Sequence, residues 1–135
     1  MKDKILVTGA NGNLGKKFML SKGEVEVCAL VRSEKAKDDL MSFVQANDIQ
    51  DVQIVKCDYL NKQVIKELAR SCGYMLHLVG IIKENKDNKF DLVHKQTTKA
   101  LIASIKGSGI KKCCYISILG AKEGSENTCF SSRGF

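Results

Sequence analysis

The sequence predicts an α/β fold: a doubly wound parallel sheet of five strands in the order 3-2-1-4-5. Three observations lead there. Five short apolar runs rich in β-branched residues are spread along 135 residues, stretches with helical periodicity separate them, and a glycine-rich turn sits at the first strand-to-helix junction. Parallel neighbours need crossover connections, and crossovers are right-handed, so this alternation places helices on both faces of the sheet.

The elements follow in order. Lys4 to Thr8 is a buried strand stopped by Gly9. A helix should run from about Gly12 to Ser21, with Leu14, Phe18 and Met19 on its inner side. Val25 to Val31 is the second strand and ends at Arg32-Ser33. Ser33 is then the N-cap of a helix through Leu40, Phe43 and Val44, with Glu34 near the positive end of its dipole. Val52 to Cys57 is the third strand, and Asn61 caps a short helix carrying Val64, Ile65 and Leu68. Tyr74 to Val79 is the fourth strand, with His77 expected as a buried, hydrogen-bonded histidine. A loop rich in Lys, Asn and Asp leads to a helix between Phe90 and Lys106, whose apolar stripe is Leu92, Val93, Leu101, Ile102 and Ile105. Gly107-Ser108-Gly109 ends it. Lys111 to Leu119 is the fifth strand, and residues 120–135 carry little periodic signal.

Composition narrows the function. With 44% hydrophobic and 27% charged residues the chain is neither disordered nor fibrous, and its length suits one domain. No window approaches the roughly 18 consecutive apolar residues that span a bilayer, so neither a leader nor a membrane anchor is expected. The 22 Lys and Arg outnumber the 15 Asp and Glu, which leaves a formal charge of +7. These cations are scattered, and with five Phe and three Tyr no basic run is interleaved with aromatics, which argues against a nucleic-acid module. Six cysteines contain no C-x-x-C spacing, so no metal site is expected. Cys28, Cys57, Cys113 and Cys114 fall in apolar runs and read as reduced, mostly structural thiols of a cytoplasmic protein.

The strongest signal is Thr8-Gly9-Ala10-Asn11-Gly12-Asn13-Leu14-Gly15. Three glycines between a strand and a helix let the backbone turn tightly and approach a pyrophosphate, whose charge the free N–H groups of a helix N-terminus stabilise. The spacing is G-x-x-G-x-x-G, a variant of the general dinucleotide fingerprint. Cofactor choice turns on the end of the second strand. An acidic residue there bonds a ribose 2′-hydroxyl, whereas arginine suits a 2′-phosphate. Here it is Arg32, with the Ser33 hydroxyl as a second donor, so NADP is preferred, while Glu34 leaves NAD open. Lys16 and Lys17 lie near the phosphates or point to water.

Five further segments share a pattern with the turn: Leu30-Val31-Arg32-Ser33, Cys57-Asp58-Tyr59-Leu60, His77-Leu78-Val79-Gly80, Val93 to Thr98, and Tyr115 to Gly120. Together they resemble the short-chain dehydrogenase/reductase superfamily. The likeness is greatest to its extended and atypical branches, which include the NmrA-like proteins and the NAD(P)-binding accessory subunit of respiratory complex I. The resemblance implies that residues 1–135 are an NAD(P)-binding Rossmann domain, truncated relative to the family and without its C-terminal substrate lobe. It also implies a cofactor site of Gly9, Ala10, Asn11, Gly12, Asn13, Leu14, Gly15, Arg32, Ser33, Asp58, Tyr59, Val79 and Gly80. Asp58 would accept the adenine amino group, although a helix-initiating aspartate explains it nearly as well.

The family's usual Tyr-x-x-x-Lys pair is missing. In Asn127 to Gly134, Arg133 at the lysine place pairs with Cys129, and the neighbouring register pairs Phe130 with Gly134. Neither gives a phenol for proton exchange. Ser117 occupies the expected hydroxyl position and His94 the family's helical Asn position, which leaves them as catalytic candidates. Two readings follow: an oxidoreductase relative without ordinary dehydrogenase catalysis, or a nonenzymatic NADP(H)-responsive redox sensor or assembly subunit. In either case a homo-oligomer or a protein partner covers the exposed sheet edge.

Overall fold

The computed structural model describes residues 3–78 and 96–115. Its elements are β1 (Lys4–Thr8), α1 (Asn13–Ser21), β2 (Glu26–Val31), α2 (Glu34–Ala46), β3 (Val52–Lys56), α3 (Lys62–Ala69), β4 (Tyr74–His77), α4 (Thr97–Ile105) and β5 (Lys112–Tyr115). The strands form one sheet in the order β3-β2-β1-β4-β5, with every neighbouring pair parallel, which is the predicted topology.

Alternation along the central strands sorts the core into two layers. Leu6, Cys28, Leu30 and Met75 pack with Ile65 and Ala69 of α3 and Leu101 of α4. Val7, Val27, Ala29 and Val31 face the other way, onto Met19 of α1 and Leu40 of α2. Capping fixes where two helices start. Ser33 accepts a bond from the amide of Ala36 at 3.1 Å, and Asn61 accepts one from Val64 at 3.4 Å, both as the sequence predicts.

Three apolar assignments need correction. Leu14 is 52% exposed, because α1 turns Gly15 and Met19 inward, one turn apart, and leaves Leu14 on the flank. Ile102 is also 52% exposed, since Thr97, Thr98, Ala100, Leu101 and Ser104 make the buried face of α4. Cys113 and Cys114 are exposed rather than buried, because β5 is the last of the described strands and lacks a neighbour on one side among the described residues. The predicted Leu92 and Val93, the fourth strand beyond Leu78 and the fifth beyond Tyr115 lie outside the described residues. Among those described, no helix is long and apolar enough to cross a membrane.

Candidate functional site

The site is built where β1, β2 and β3 end. β1 runs into Gly9, whose φ of +63° belongs to the left-handed region that glycine adopts without strain. Gly12 follows at φ −75° and ψ 175°, ordinary extended backbone, and caps α1 without a side chain. Its amide bonds back to the Gly9 carbonyl at 3.1 Å, and its own carbonyl accepts the Lys16 amide at 3.0 Å. The amides of Asn13 and Leu14, in the first turn of α1, therefore have no acceptor within the helix. Helices α2 and α3 satisfy theirs with Ser33 and Asn61; α1 leaves its own open to whatever lies above the turn.

The three glycines have separate reasons to be glycine. A Cβ on Gly15 would stand 2.2 Å from the Ala10 carbonyl oxygen and 2.8 Å from its Cα, so helix and turn touch backbone to backbone there. A Cβ on Gly12 meets only the Gly9 oxygen at 3.4 Å, an ordinary contact. Among the described residues, neither conformation nor packing requires glycine at position 12. Free space above an uncapped helix start is what a pyrophosphate cradle needs.

Beneath the turn lies Tyr59, 2% exposed. Its phenol oxygen accepts the Gly9 amide at 2.8 Å and donates to the Leu30 carbonyl at 2.9 Å, and the Ala10 amide reaches the same carbonyl at 3.3 Å. The phenol thus ties the turn after β1 to the end of β2. Burial pushes its ionisation up to about 12, against the smaller opposing effects of the Gly9 bond and the Arg32 charge. It stays neutral and able to donate at physiological pH.

A second buried polar group joins β1 to β4. Thr8 and His77 are register partners, and Thr8 Oγ1 lies 2.6 Å from His77 Nδ1, while Nε2 meets Thr98 Oγ1 at 2.8 Å. The Leu78 amide donates to Thr8 Oγ1 at 3.2 Å. Both ring nitrogens of His77 thus meet a threonine hydroxyl, with donor and acceptor roles set by the imidazole tautomer. The Tyr115 ring stacks on the imidazole at 5.2 Å. His77 is the buried, hydrogen-bonded histidine expected from the sequence.

At the mouth, Arg32 and Ser33 are exposed at the start of α2. Ser33 uses its oxygen as the cap acceptor, which leaves its hydroxyl hydrogen to donate outward. Asp58 is exposed, and one of its oxygens accepts the Leu60 amide at 2.9 Å, fixing the bend that brings Tyr59 under the turn. Lys16 pairs with Asp39 at 2.7 Å. Cys57 adjoins Asp58, its thiol donating to the Asp58 carbonyl at 3.3 Å. Burial raises Cys28 to about 11 and also raises Cys57 and Cys72, so all three remain protonated core groups.

The model of the NmrA-like family matches residues 1–133. This chain belongs to the NmrA-like family. No curated protein matches it in sequence. Among solved structures, Pen from Bacillus thuringiensis is similar at 19% identity with a TM-score of 0.82, covering 98% of this chain and 43% of its own. The UDP-Glc/GlcNAc 4-epimerase of Campylobacter jejuni is 20% identical with a TM-score of 0.72, over 96% of this chain and 46% of that one. A variant UDP-glucuronic acid 4-epimerase of Bacillus cereus, solved with NAD and a fluorinated UDP-sugar, is 21% identical with a TM-score of 0.69, over 96% and 49%. These likenesses show the shared fold, and the NmrA-like chain spans less than half the length of each.

Within this NmrA-like chain the predicted Gly9, Ala10, Asn11, Gly12, Asn13, Leu14 and Gly15 form one turn, with Ala10 and Gly15 buried as its floor and Gly12, Asn13 and Leu14 exposed as its rim. Arg32, Ser33 and Asp58 come to the same end of the sheet, and Tyr59 lies below rather than beside it. Val79, Gly80, His94, Ser117, Cys129 and Arg133 lie outside the described residues. Sequence reading named Tyr59 as a cofactor contact and did not foresee its double bond under the turn; an aromatic placed two residues after the third strand was the available signal. The Thr8 and Thr98 partners of His77 gave none, because their proximity depends on strand register and on the placement of α4.

Proposed function

We propose that residues 1–135 bind a nicotinamide dinucleotide across the turn from Gly9 to Gly15, with NADP(H) preferred to NAD(H), and that the chain lacks ordinary short-chain dehydrogenase turnover. The observation that carries the binding site is Gly12: a glycine that the geometry of the described residues does not require, at a start of α1 without a side-chain cap. The amides of Asn13 and Leu14 would hold the pyrophosphate, and Asn11 would border it. Asp58 would accept the adenine amino group through its second oxygen, Val79 and Gly80 would flank the nicotinamide ribose, and Arg32 with Ser33 would hold the 2′-phosphate through charge-assisted bonds. A bound nicotinamide would supply hydride chemistry. The residues described supply position: Tyr59 keeps the turn in shape, and the Thr8–His77–Thr98 chain keeps β4 and α4 against it.

Absence of turnover follows from Asn127 to Gly134, where neither Cys129 nor Phe130 supplies the phenol that would exchange a proton with a developing alkoxide. The same absence favours a second reading, an NADP(H)-responsive sensor or assembly subunit whose output is contact with a partner. Titration of the purified chain with NAD(H) and NADP(H), beside assays on aldehydes, ketones and quinones, separates the possibilities. Tighter NADP(H) binding that Arg32→Ala reduces, with no saturable turnover, supports the proposal. Equal affinities unchanged by Arg32→Ala remove the selector. Turnover abolished by Ser117→Ala or His94→Ala overturns the noncatalytic reading and identifies the group responsible.

A further inference from the structure

The end of β3 brings a cation to the dinucleotide mouth that the glycine turn and the second strand do not announce. Lys56 is the last residue of β3 and pairs in register with Val31, the last residue of β2. Register partners in a parallel ladder share a face. Val31 packs on the α2 side of the sheet, so Lys56 projects to that side as well. There its Nζ stands 3.7 Å from Oε1 of Glu34, the first residue of α2. The bond from the Cys57 amide to the Val31 carbonyl, at 2.8 Å, holds the two strand ends together and keeps Lys56 next to the Arg32-Ser33 step.

The three charges bear on one choice. Glu34 alone at this place would favour a ribose diol and repel a 2′-phosphate. Lys56 offsets that repulsion. The pair is loose and open to water, with side chains 48% and 67% exposed, so little holds the ammonium to the carboxylate. Its flexible four-carbon stem lets it turn to a stronger anion close by.

We infer that Lys56 is a specificity-determining residue: it neutralises Glu34 and gives its ammonium to the 2′-phosphate of NADP(H), so that the Glu34–Lys56 pair sets nucleotide preference together with Arg32. This rests on the reading of the glycine turn as a dinucleotide site. The test is titration of the full chain with NADPH and NADH, for the native protein and for Lys56→Gln, Lys56→Arg and Glu34→Gln. The readout is the ratio of the two affinities. Lys56→Gln lowers the preference for NADPH about fivefold, Lys56→Arg keeps it, and Glu34→Gln raises it a few-fold, all within the range of an exposed charge pair. The differences shrink as salt rises from 50 to 500 mM. Binding of both nucleotides with a ratio unmoved by Lys56→Gln overturns this inference and leaves the site standing. Failure of the native chain to bind either nucleotide overturns the site and the selector together. Thermal unfolding of each variant within about 2 °C of the native protein shows that a moved ratio is not a folding effect.

Discussion

The floor and the rim of the glycine turn obey different constraints. On the floor, Ala10 is fully buried, Gly15 touches its backbone, and Tyr59 bonds Gly9 to Leu30 from below. Every feature there is explained by the protein's own packing. On the rim, Gly12, Asn13 and Leu14 are exposed, Gly12 has an ordinary conformation and room for a Cβ, and no side chain caps the helix. Among the described residues nothing explains a glycine at that place. Residues of one motif can thus be sorted by asking which of them the fold itself requires; what remains points to a ligand.

The comparison is sharpest at Gly15. Gly15→Ala forces a methyl to within 2.2 Å of a backbone oxygen that has no flexible side chain to yield, so α1 must move off the turn. A stability loss of about 3 kcal/mol or more is expected in urea unfolding. A loss below 1 kcal/mol would break the idea of a rigid floor.

Gly12→Val should do the opposite. The fold stays native at a cost of about 1 kcal/mol, the usual loss when an apolar residue replaces a favoured N-cap, while dinucleotide affinity falls at least ~100-fold as the branched group fills the pyrophosphate space. Retained affinity in a natively folded variant would take the rim out of the site.

Tyr59→Phe joins the two regions. It leaves the Gly9 amide without its acceptor and removes one donor from the Leu30 carbonyl, for a stability loss of about 1–3 kcal/mol, again read by urea unfolding. Dinucleotide affinity should fall several-fold as well, because the turn loses its support. Lost stability with unchanged affinity would show that floor and rim are independent.

The smallest effect is a pH dependence. The folded phenol ionises at about 12, above the ordinary tyrosine value near 10, so its stabilising contribution is complete below pH 10 and is lost as pH rises through the folded value. Between pH 10 and 11 the native protein should lose about 1 kcal/mol more than Tyr59→Phe does. Cys28, with its folded value near 11, adds a loss common to both. Parallel alkaline unfolding curves for the two proteins would show that the phenol is not buried as described.

Much of this was legible from local signals. The alternation of apolar runs and helical periods gave the strand order, and the caps Ser33 and Asn61 placed two helix starts, because periodicity and capping depend on residues close in sequence. Leu14 and Ile102 were misplaced because periodicity identifies a helix better than it fixes which edge of the stripe stays covered. That depends on where the backbone of α1 meets Ala10 and which face of α4 meets the sheet. Cys113 and Cys114 are exposed although they lie in an apolar run, because such a run does not say whether its strand has a neighbour.

The sequence by itself determined the family, the sheet topology and the position of the glycine turn, since each is written in residue types at fixed short spacings. Only the tertiary structure decided the division of labour among the three glycines, the Tyr59 bonds between Gly9 and Leu30, the Thr8–His77–Thr98 chain and the approach of Lys56 to Glu34. Tyr59 is 50 residues from Gly9, and His77 is 69 from Thr8. Contacts of that separation arise from parallel register and crossover packing, which bring strand ends together whatever their distance along the chain.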